Sequence, residues 1–386
     1  MKKKLQISFP HLGNYYIPIE RLLKAIFPGH TILPPPPITV RTLELGSRYS
    51  PDFVCAPFKF NLGNYLEALE KGANLLLQTG TGCRFGYYGE LQEQILRDLG
   101  WDFQFICFSR QEARPWTAYQ ALRRLGSPLN PAQFLYQLGL ACAAIRLLDH
   151  LEYFLRYNIG FQTKPGSGEK LHQELLLALK KVDSFGRLRQ LKSHYTKAFQ
   201  NLPLKRPEKY YRVGLVGDLY TLMEPFSNFY LEKELANKGI AVSRIMNLSF
   251  LLFGKNTKKS LLSSADYLKY NPGANGADSV AQSHFYAAKG FDGVIHIKSF
   301  GCVPELNATP SLQSLSRDWK MPILHLSFDS HTSEAGIQTR LEAFTDMIEL
   351  RRQRTEDGRQ SGLGFAPQNI EAKNNYPNPY SLIPNP

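Results

Sequence analysis

The sequence predicts an α/β protein, with two parallel-sheet domains joined by a helical segment and followed by a disordered C-terminal tail. Three observations lead there. Over roughly the first 125 residues, short apolar runs alternate with amphipathic helical stretches, the signature of strands covered by helices. The same alternation resumes near Tyr211. Between the two, Pro131–Tyr157 and Glu169–Gln200 read as long helices. The boundaries are therefore residues 1–128 for the first domain, 129–208 for the helical connector, 209–352 for the second domain and 353–386 for the tail.

In order, Leu5–Phe9 reads as a strand and Ile17–Phe27 as a helix. His30–Leu33 is a second strand, stopped by Pro34-Pro35-Pro36-Pro37. A helix follows Cys55: Leu62, Tyr65, Leu66 and Leu69 recur at helical spacing, and Gly72 supplies a stop. Leu75–Leu77 is a buried strand leading to Cys83. The next helix carries Leu91, Ile95, Leu96 and Leu99 and ends at Gly100, and Phe103–Phe108 closes the layer. Turn-rich Lys164–Gly168 separates the connector's helices. In the second domain Val213–Gly217, Ala241–Ile245, Val294–Ile297 and Ile323–Leu326 read as strands. Phe229–Lys238 and Ile337–Arg351 read as helices, and Cys302 precedes a turn-to-helix stretch ending at Ala308-Thr309-Pro310. Beyond residue 355 or so the chain is polar, rich in Asn and Pro and aperiodic, hence the expected disorder.

At 386 residues with 43% apolar side chains, the chain can build two real cores. No run of roughly 18 apolar residues exists, so no membrane span is expected. Met1-Lys2-Lys3-Lys4 is followed by an apolar stretch too short for a signal peptide. Five cysteines without regular short spacing argue against a secreted disulfide framework, so the expected location is the cytoplasm. The formal charge of +13 suits phosphorylated or CoA-type ligands and acidic partners. Its densest clusters, Lys180-Lys181, Lys258-Lys259 and Arg351-Arg352, form no stripe with interleaved aromatics, which disfavours nucleic acid.

The chemistry centres on three cysteines. Cys55 (Phe53-Val54-Cys55-Ala56-Pro57-Phe58-Lys59), Cys83 (Thr81-Gly82-Cys83-Arg84-Phe85-Gly86) and Cys302 (Phe300-Gly301-Cys302-Val303-Pro304-Glu305) sit where an apolar run gives way to a helix start. A helix N-terminus favours a thiolate and an anionic cluster. Three thiolates can hold an iron–sulfur cubane by three irons and leave the fourth open. Spacing alone leaves open that each is an ordinary corner residue, since no C-x-x-C pair is present. Structural zinc, which takes four closely paired ligands, fits less well. Cys107, in an apolar strand, and Cys142, on an apolar helix, read as small buried hydrophobes. Lys59 and Arg84 adjoin the candidate ligands and could offset cluster charge or steer a partner, or simply be solvated. Glu305 could move a proton at the site or cap a helix. His331, in Asp329-Ser330-His331-Thr332, is a second acid–base candidate with a turn role as its alternative. Gly80, Gly82 and Gly86 miss the dinucleotide fingerprint by one residue. Gly166–Lys170 lacks the G-K-[S/T] of a P-loop, and neither G-x-S-x-G nor H-E-x-x-H occurs.

Taken together, five segments resemble one family over residues 5–350. They are Cys55-Ala56-Pro57-Phe58-Lys59; Gly82-Cys83-Arg84-Phe85-Gly86-Tyr87-Tyr88; Val216-Gly217-Asp218-Leu219-Tyr220 with Pro225-Phe226-Ser227-Asn228; Phe300–Glu305; and Asp329–Gly336 with Thr339–Phe344. The chain is similar to the D-component family of 2-hydroxyacyl-CoA dehydratases, in its single-chain CoA protein activase-related or double-cubane-cluster branch. The resemblance implies Rossmann-like domains and three cysteine ligands, here Cys55, Cys83 and Cys302. The cluster would be a 4Fe-4S cubane, or a double-cubane 8Fe-9S cluster shared across a homodimer or a heterodimer with a related subunit. It further implies an ATP-dependent activase, itself an iron–sulfur protein, that supplies a low-potential electron. The substrate would be an acyl-CoA or a small molecule, reduced or dehydrated. The alternative expectation is a non-catalytic, cluster-bearing or metal-free partner of such a system.

Overall fold

The computed structural model describes residues 4–80, 83–108, 115–263 and 267–360. The chain is α/β throughout and divides into two compact units. One comprises the residues up to Leu151 with Glu169–Asn201, the other Glu152–Gly168 with the residues from Leu202 onward. The helical segment 129–208 is thus distributed over both units.

The first unit runs β1 (Gln6–Ser8), α1 (Tyr16–Ile26), β2 (Thr31–Ile32), α2 (Val40–Tyr49), α3 (Ala56–Glu70), β3 (Leu75–Thr79), α4 (Phe85–Asp98), β4 (Gln104–Phe108) and α5 (Pro115–Arg124). It is completed by most of α6 (Pro131–Asn158), α7 (Ser167–Leu179) and α8 (Phe185–Gln200). Its four strands are parallel, in the order β2-β1-β3-β4. Both faces are covered because side chains alternate along each strand. Leu75 and Leu77 pack with Ile7, Leu23, Ile26 and Phe134, whereas Leu76 packs on the other side with Phe58, Leu62, Tyr65 and Leu96.

Helix α2 has no counterpart among the sequence expectations. The residues it buries are Thr42 and Gly46 rather than large apolar side chains, and its start is set by a reciprocal cap between Thr39 and Thr42. Two glycines let it lie directly on α3. A Cβ on Gly46 would stand 1.7 Å from the Lys59 carbonyl oxygen, and one on Gly63 1.8 Å from that of Thr42. The single helix expected over Glu169–Gln200 is two. The chain breaks after Leu179, and the Ser184 hydroxyl accepts the Arg187 N–H at 3.4 Å to start α8.

The second unit runs β5 (Tyr211–Gly217), α9 (Leu219–Met223), α10 (Leu231–Asn237), β6 (Ile240–Ser243), α11 (Leu248–Phe253), α12 (Lys255–Ser263), α13 (Gly276–Ala288), β7 (Gly293–Ser299), α14 (Val303–Asp318), β8 (Ile323–Phe328) and α15 (Glu334–Gln360). Its sheet is also parallel, in the order β6-β5-β7-β8. Almost every side chain of α13 is buried, so no amphipathic stripe announced it. It seats on the sheet through Tyr286, whose ring lies where a Gly214 Cβ would be (2.3 Å). The Tyr286 hydroxyl donates to the Ser243 carbonyl (3.1 Å) and accepts from the Ile245 N–H (3.2 Å).

Three further expectations change. Helix α10 starts at Leu231 rather than Phe229, because Phe229 and Tyr230 are left-handed (φ 54° each) and Asn228 Oδ1 caps the Leu231 N–H at 3.1 Å. The stretch after Cys302 does not end at Pro310. Buried Ala308, Leu312 and Leu315 keep α14 on the sheet to Asp318, with Pro310 inside the helix. The last helix reaches Gln360, so residues 353–360 of the expected tail are helical, and the remainder of the tail lies outside the described residues.

One described segment, Pro131–Phe161, is apolar and long enough by composition to cross a membrane (mean hydropathy 1.2), although no run is uninterrupted. Half of that window is buried inside the fold, with Leu140, Ala144, Leu147, Leu148 and Leu151 turned inward.

Candidate functional site

In an open parallel sheet, ligands gather outside the carboxyl ends of the strands, where the winding reverses. That point lies between β1 and β3 in the first unit and between β5 and β7 in the second. The candidate cysteines stand at these edges.

Cys55 is the N-cap residue of α3 and is half-buried. Its Sγ lies 3.1 Å from the Tyr88 hydroxyl, which α4 brings over. Burial, then the neighbouring Cys55, raises the Tyr88 phenol above its ordinary range. Cys83 follows β3, is exposed, and receives the Phe85 N–H at 3.4 Å. Gly80 allows the chain to turn there, since a Cβ would stand 2.4 Å from the Phe85 carbonyl oxygen. Thr81 and Gly82, and with them part of the glycine pattern, lie outside the described residues. Arg84 is the exposed N-cap residue of α4, and Lys59 is half-buried on α3. Cys302 is the half-buried N-cap residue of α14, preceded by Gly301 at φ 78°.

All five cysteines are free thiols. Among the described residues, no three His, Cys, Asp or Glu side chains form a ready-made metal site. The two cysteines set aside are less buried than the sequence implied. Cys107 and Cys142 are both half-buried, Cys107 packs its sulfur against Gly89, and burial raises the Cys142 thiol.

Behind Cys302 lies a buried polar set that sequence reasoning found only in part. Glu305, on the first turn of α14, is fully buried, which is more than a solvent-facing cap requires. Its Oε2 is 2.8 Å from His296 Nε2, and His296 Nδ1 is 2.9 Å from His325 Nδ1. The two imidazoles meet because His296 and His325 are register partners on β7 and β8. Burial, then His296, then Lys298, lowers His325 to about 4. Among the described residues Glu305 Oε1 is buried without a hydrogen-bond partner. Lys298, buried on β7, is lowered by burial, against the opposing pull of Cys302, Glu305 and Asp218.

Asp218 closes the reversal point. Its Oδ1 accepts the Thr221 N–H (2.9 Å) and its Oδ2 the Ser299 N–H (2.5 Å), tying the end of β5 to the end of β7. Burial nonetheless raises its carboxyl. Asp278 on α13 is likewise raised by burial and pairs with Lys258 at 2.7 Å.

His331 is exposed on the turn after β8, its N–H donating to Asp329 Oδ1 at 2.8 Å. The sequence signal that could have exposed the histidine pair was present: Ile295-His296-Ile297 and Leu324-His325-Leu326 place one histidine inside each of two apolar strands.

At the opposite, amino edge of this unit, a groove of about 540 Å3 is lined by Lys205, Lys209, Lys238, Arg352, Tyr210 and Tyr211, among others. Arg352 lies 4.4 Å from the centre of the Tyr211 ring and pairs with Asp292 at 2.9 Å.

No family model matches the chain, and no curated protein matches it.

Proposed function

We propose that this chain is an iron–sulfur protein for low-potential electron transfer or reduction, with Cys55, Cys83 and Cys302 as cluster ligands. One observation carries the reading. Cys55 and Cys302 are N-cap residues and Cys83 directly precedes another N-cap residue, whereas Cys107 lies inside a strand and Cys142 inside a helix. Helix N-termini favour deprotonated sulfur and net negative charge, which is what ligation of an iron–sulfur cluster demands. The donor chemistry therefore fits a 4Fe-4S cubane, or a double-cubane 8Fe-9S cluster shared by two related chains. When bound, such a group supplies one-electron chemistry at a potential tuned by burial and by hydrogen bonds to sulfur.

The remaining residues serve that chemistry. Glu305 holds or releases a proton beside the Cys302 corner. Lys59 and Arg84 place positive charge next to Cys55 and Cys83, where it offsets cluster charge or guides an ATP-dependent activase. Five free thiols accord with a reducing cytoplasm.

The test is the iron and acid-labile sulfide content of anaerobic protein, with electron paramagnetic resonance after reduction. Near-equal iron and sulfide with a reduced-cluster signal is the expected result. Cys55→Ala, Cys83→Ala and Cys302→Ala should each lose the cluster, while Cys107→Ala and Cys142→Ala keep it. Equal iron in all five variants, or none after anaerobic reconstitution of the parent, would sink the reading.

A further inference from the structure

We propose that His325 and His296 form a proton relay that loads Glu305, making the two histidines positioning and relay residues for the acid at the Cys302 corner. The proposal rests on the reading of Glu305 as a proton carrier and not on the presence of a cluster.

The row is continuous. His325 is the half-buried end, and His296 and Glu305 are fully buried. The two links are 2.9 Å and 2.8 Å, both within hydrogen-bond reach. The arrangement also fixes the hydrogens. If Glu305 is a carboxylate, His296 must donate from Nε2, so a neutral His296 leaves Nδ1 bare. His325 must then donate from its own Nδ1, which leaves its Nε2 bare.

A proton arriving at His325 Nε2 can be passed along by three coupled moves. An N–H bond forms at His325 Nε2 and the one at Nδ1 breaks. The released proton binds His296 Nδ1 while the Nε2–H bond of that ring breaks. The last proton binds Glu305 Oε2. One proton enters, one carboxylic acid results, and no electron moves. Both rings finish neutral in the opposite tautomer, with the two hydrogen bonds reversed. Rotation of the carboxyl group then turns its proton to the side of Oε1, the buried oxygen with no hydrogen-bond partner among the described residues.

The surroundings favour transit over storage. The resistance of His325 to permanent protonation, caused by burial and by His296 and Lys298, means a proton held there is passed on readily. Among the described residues, the titratable groups around the row are Lys298 on β7, Asp218 at the end of β5, Cys302 on α14, and Asp278 on α13 with its partner Lys258. The charge of Glu305 in turn adds to the upward push on Asp218 and Asp278.

A structural pair of histidines would satisfy hydrogen bonds and nothing more, so the test reads tautomers and rates. In the full-length chain, before iron is added, two-bond 1H–15N spectra at neutral pH should show His296 protonated at Nε2 and His325 at Nδ1. After a rapid drop in pH, infrared absorption should show a carboxylic-acid band that is absent from Glu305→Gln. In His325→Gln that band should reach a similar final height but at least tenfold more slowly. The opposite tautomers, no Glu305 band, or an unchanged rate in His325→Gln would overturn the relay. If His325→Gln does not fold, the tautomer spectrum of the unaltered protein decides. Because no iron is present, failure here leaves the ligand assignment standing, and loss of the ligand assignment leaves the relay standing.

Discussion

The two α/β units share one sheet order, with the second strand outermost, then the first, third and fourth. Each also places a candidate cysteine just past its third strand, Cys83 after β3 and Cys302 after β7. They differ in what stands around that corner. In the first unit the neighbours are aromatic. Phe58 and Phe85 flank Tyr88 (centroids 4.8 and 5.6 Å away), whose hydroxyl meets Cys55. In the second unit Glu305, His296, Lys298 and Asp218 are all buried. The same scaffold thus gives one unit an aromatic-lined corner and the other a costly polar interior. Burying that many ionisable groups is tolerated only when they are paired or used.

The contrast can be attacked first at the backbone. Gly217, at φ 145°, ends β5 against β7, and a Cβ there would stand 1.7 Å from the Ile297 carbonyl oxygen. Gly217→Ala combines backbone strain with a backbone clash and should cost about 4 kcal/mol or more, the largest effect expected. Urea unfolding would measure it. A loss under 1 kcal/mol would mean that the edge beside Asp218 is loosely held.

Next is the buried acid. His296→Leu removes the partner of Glu305 Oε2 and leaves neither carboxyl oxygen paired among the described residues, a loss of about 3 kcal/mol. A denaturant midpoint unchanged from the parent would show that the polar set is solvated rather than buried.

Acid should weaken the second unit through His325. The unfolded ring takes up its proton near 6.5 and the folded ring only near 4. Between those values the unfolded chain binds more protons, so stability is full above 6.5 and falls as pH drops toward 4. Allowing for solvent screening of a half-buried ring, the loss is about 2 kcal/mol. Asp218 and Asp278, raised by burial, act in the opposite sense and lose stability as pH rises through their titration. The comparison is therefore made between the parent and His325→Gln. The melting temperature of the variant should depend less on pH between 7 and 4.5, and parallel profiles would refute the assignment.

The smallest effect is expected in the first unit. Tyr88→Phe removes the hydroxyl facing Cys55 and should cost about 1 kcal/mol while leaving iron loading intact. A loss as large as that of His296→Leu would erase the distinction drawn between the two corners.

Much of this was legible in the residues. The strands declared themselves because apolar β-branched and Leu-rich runs are local, and Leu75-Leu76-Leu77 needed no partner to be recognised. Cys55 and Cys302 could be placed at helix starts because Pro57 and Pro304 follow them at the first helical turn. Helices α2 and α13 were hidden for opposite reasons. One faces α3 with Thr42 and Gly46 in place of large apolar side chains, and the other is buried on nearly every side, so it shows no polar face to mark it. Pro310 suggested a stop that packing of Leu312 and Leu315 overrode.

The sequence by itself determined the fold class, the order of the strands and the place of Cys55, Cys83 and Cys302 beside helix starts, since these depend on neighbours along the chain. The carboxylate–histidine–histidine row belongs to the tertiary structure alone. It joins residues from two strands and a helix, and no local interaction among Glu305, His296 and His325 selects it. What brings them together is the β7–β8 register, fixed by the alternation of apolar side chains between the two covered faces of the sheet. A slip of one residue would turn one histidine to the opposite face and leave Glu305 buried without its relay.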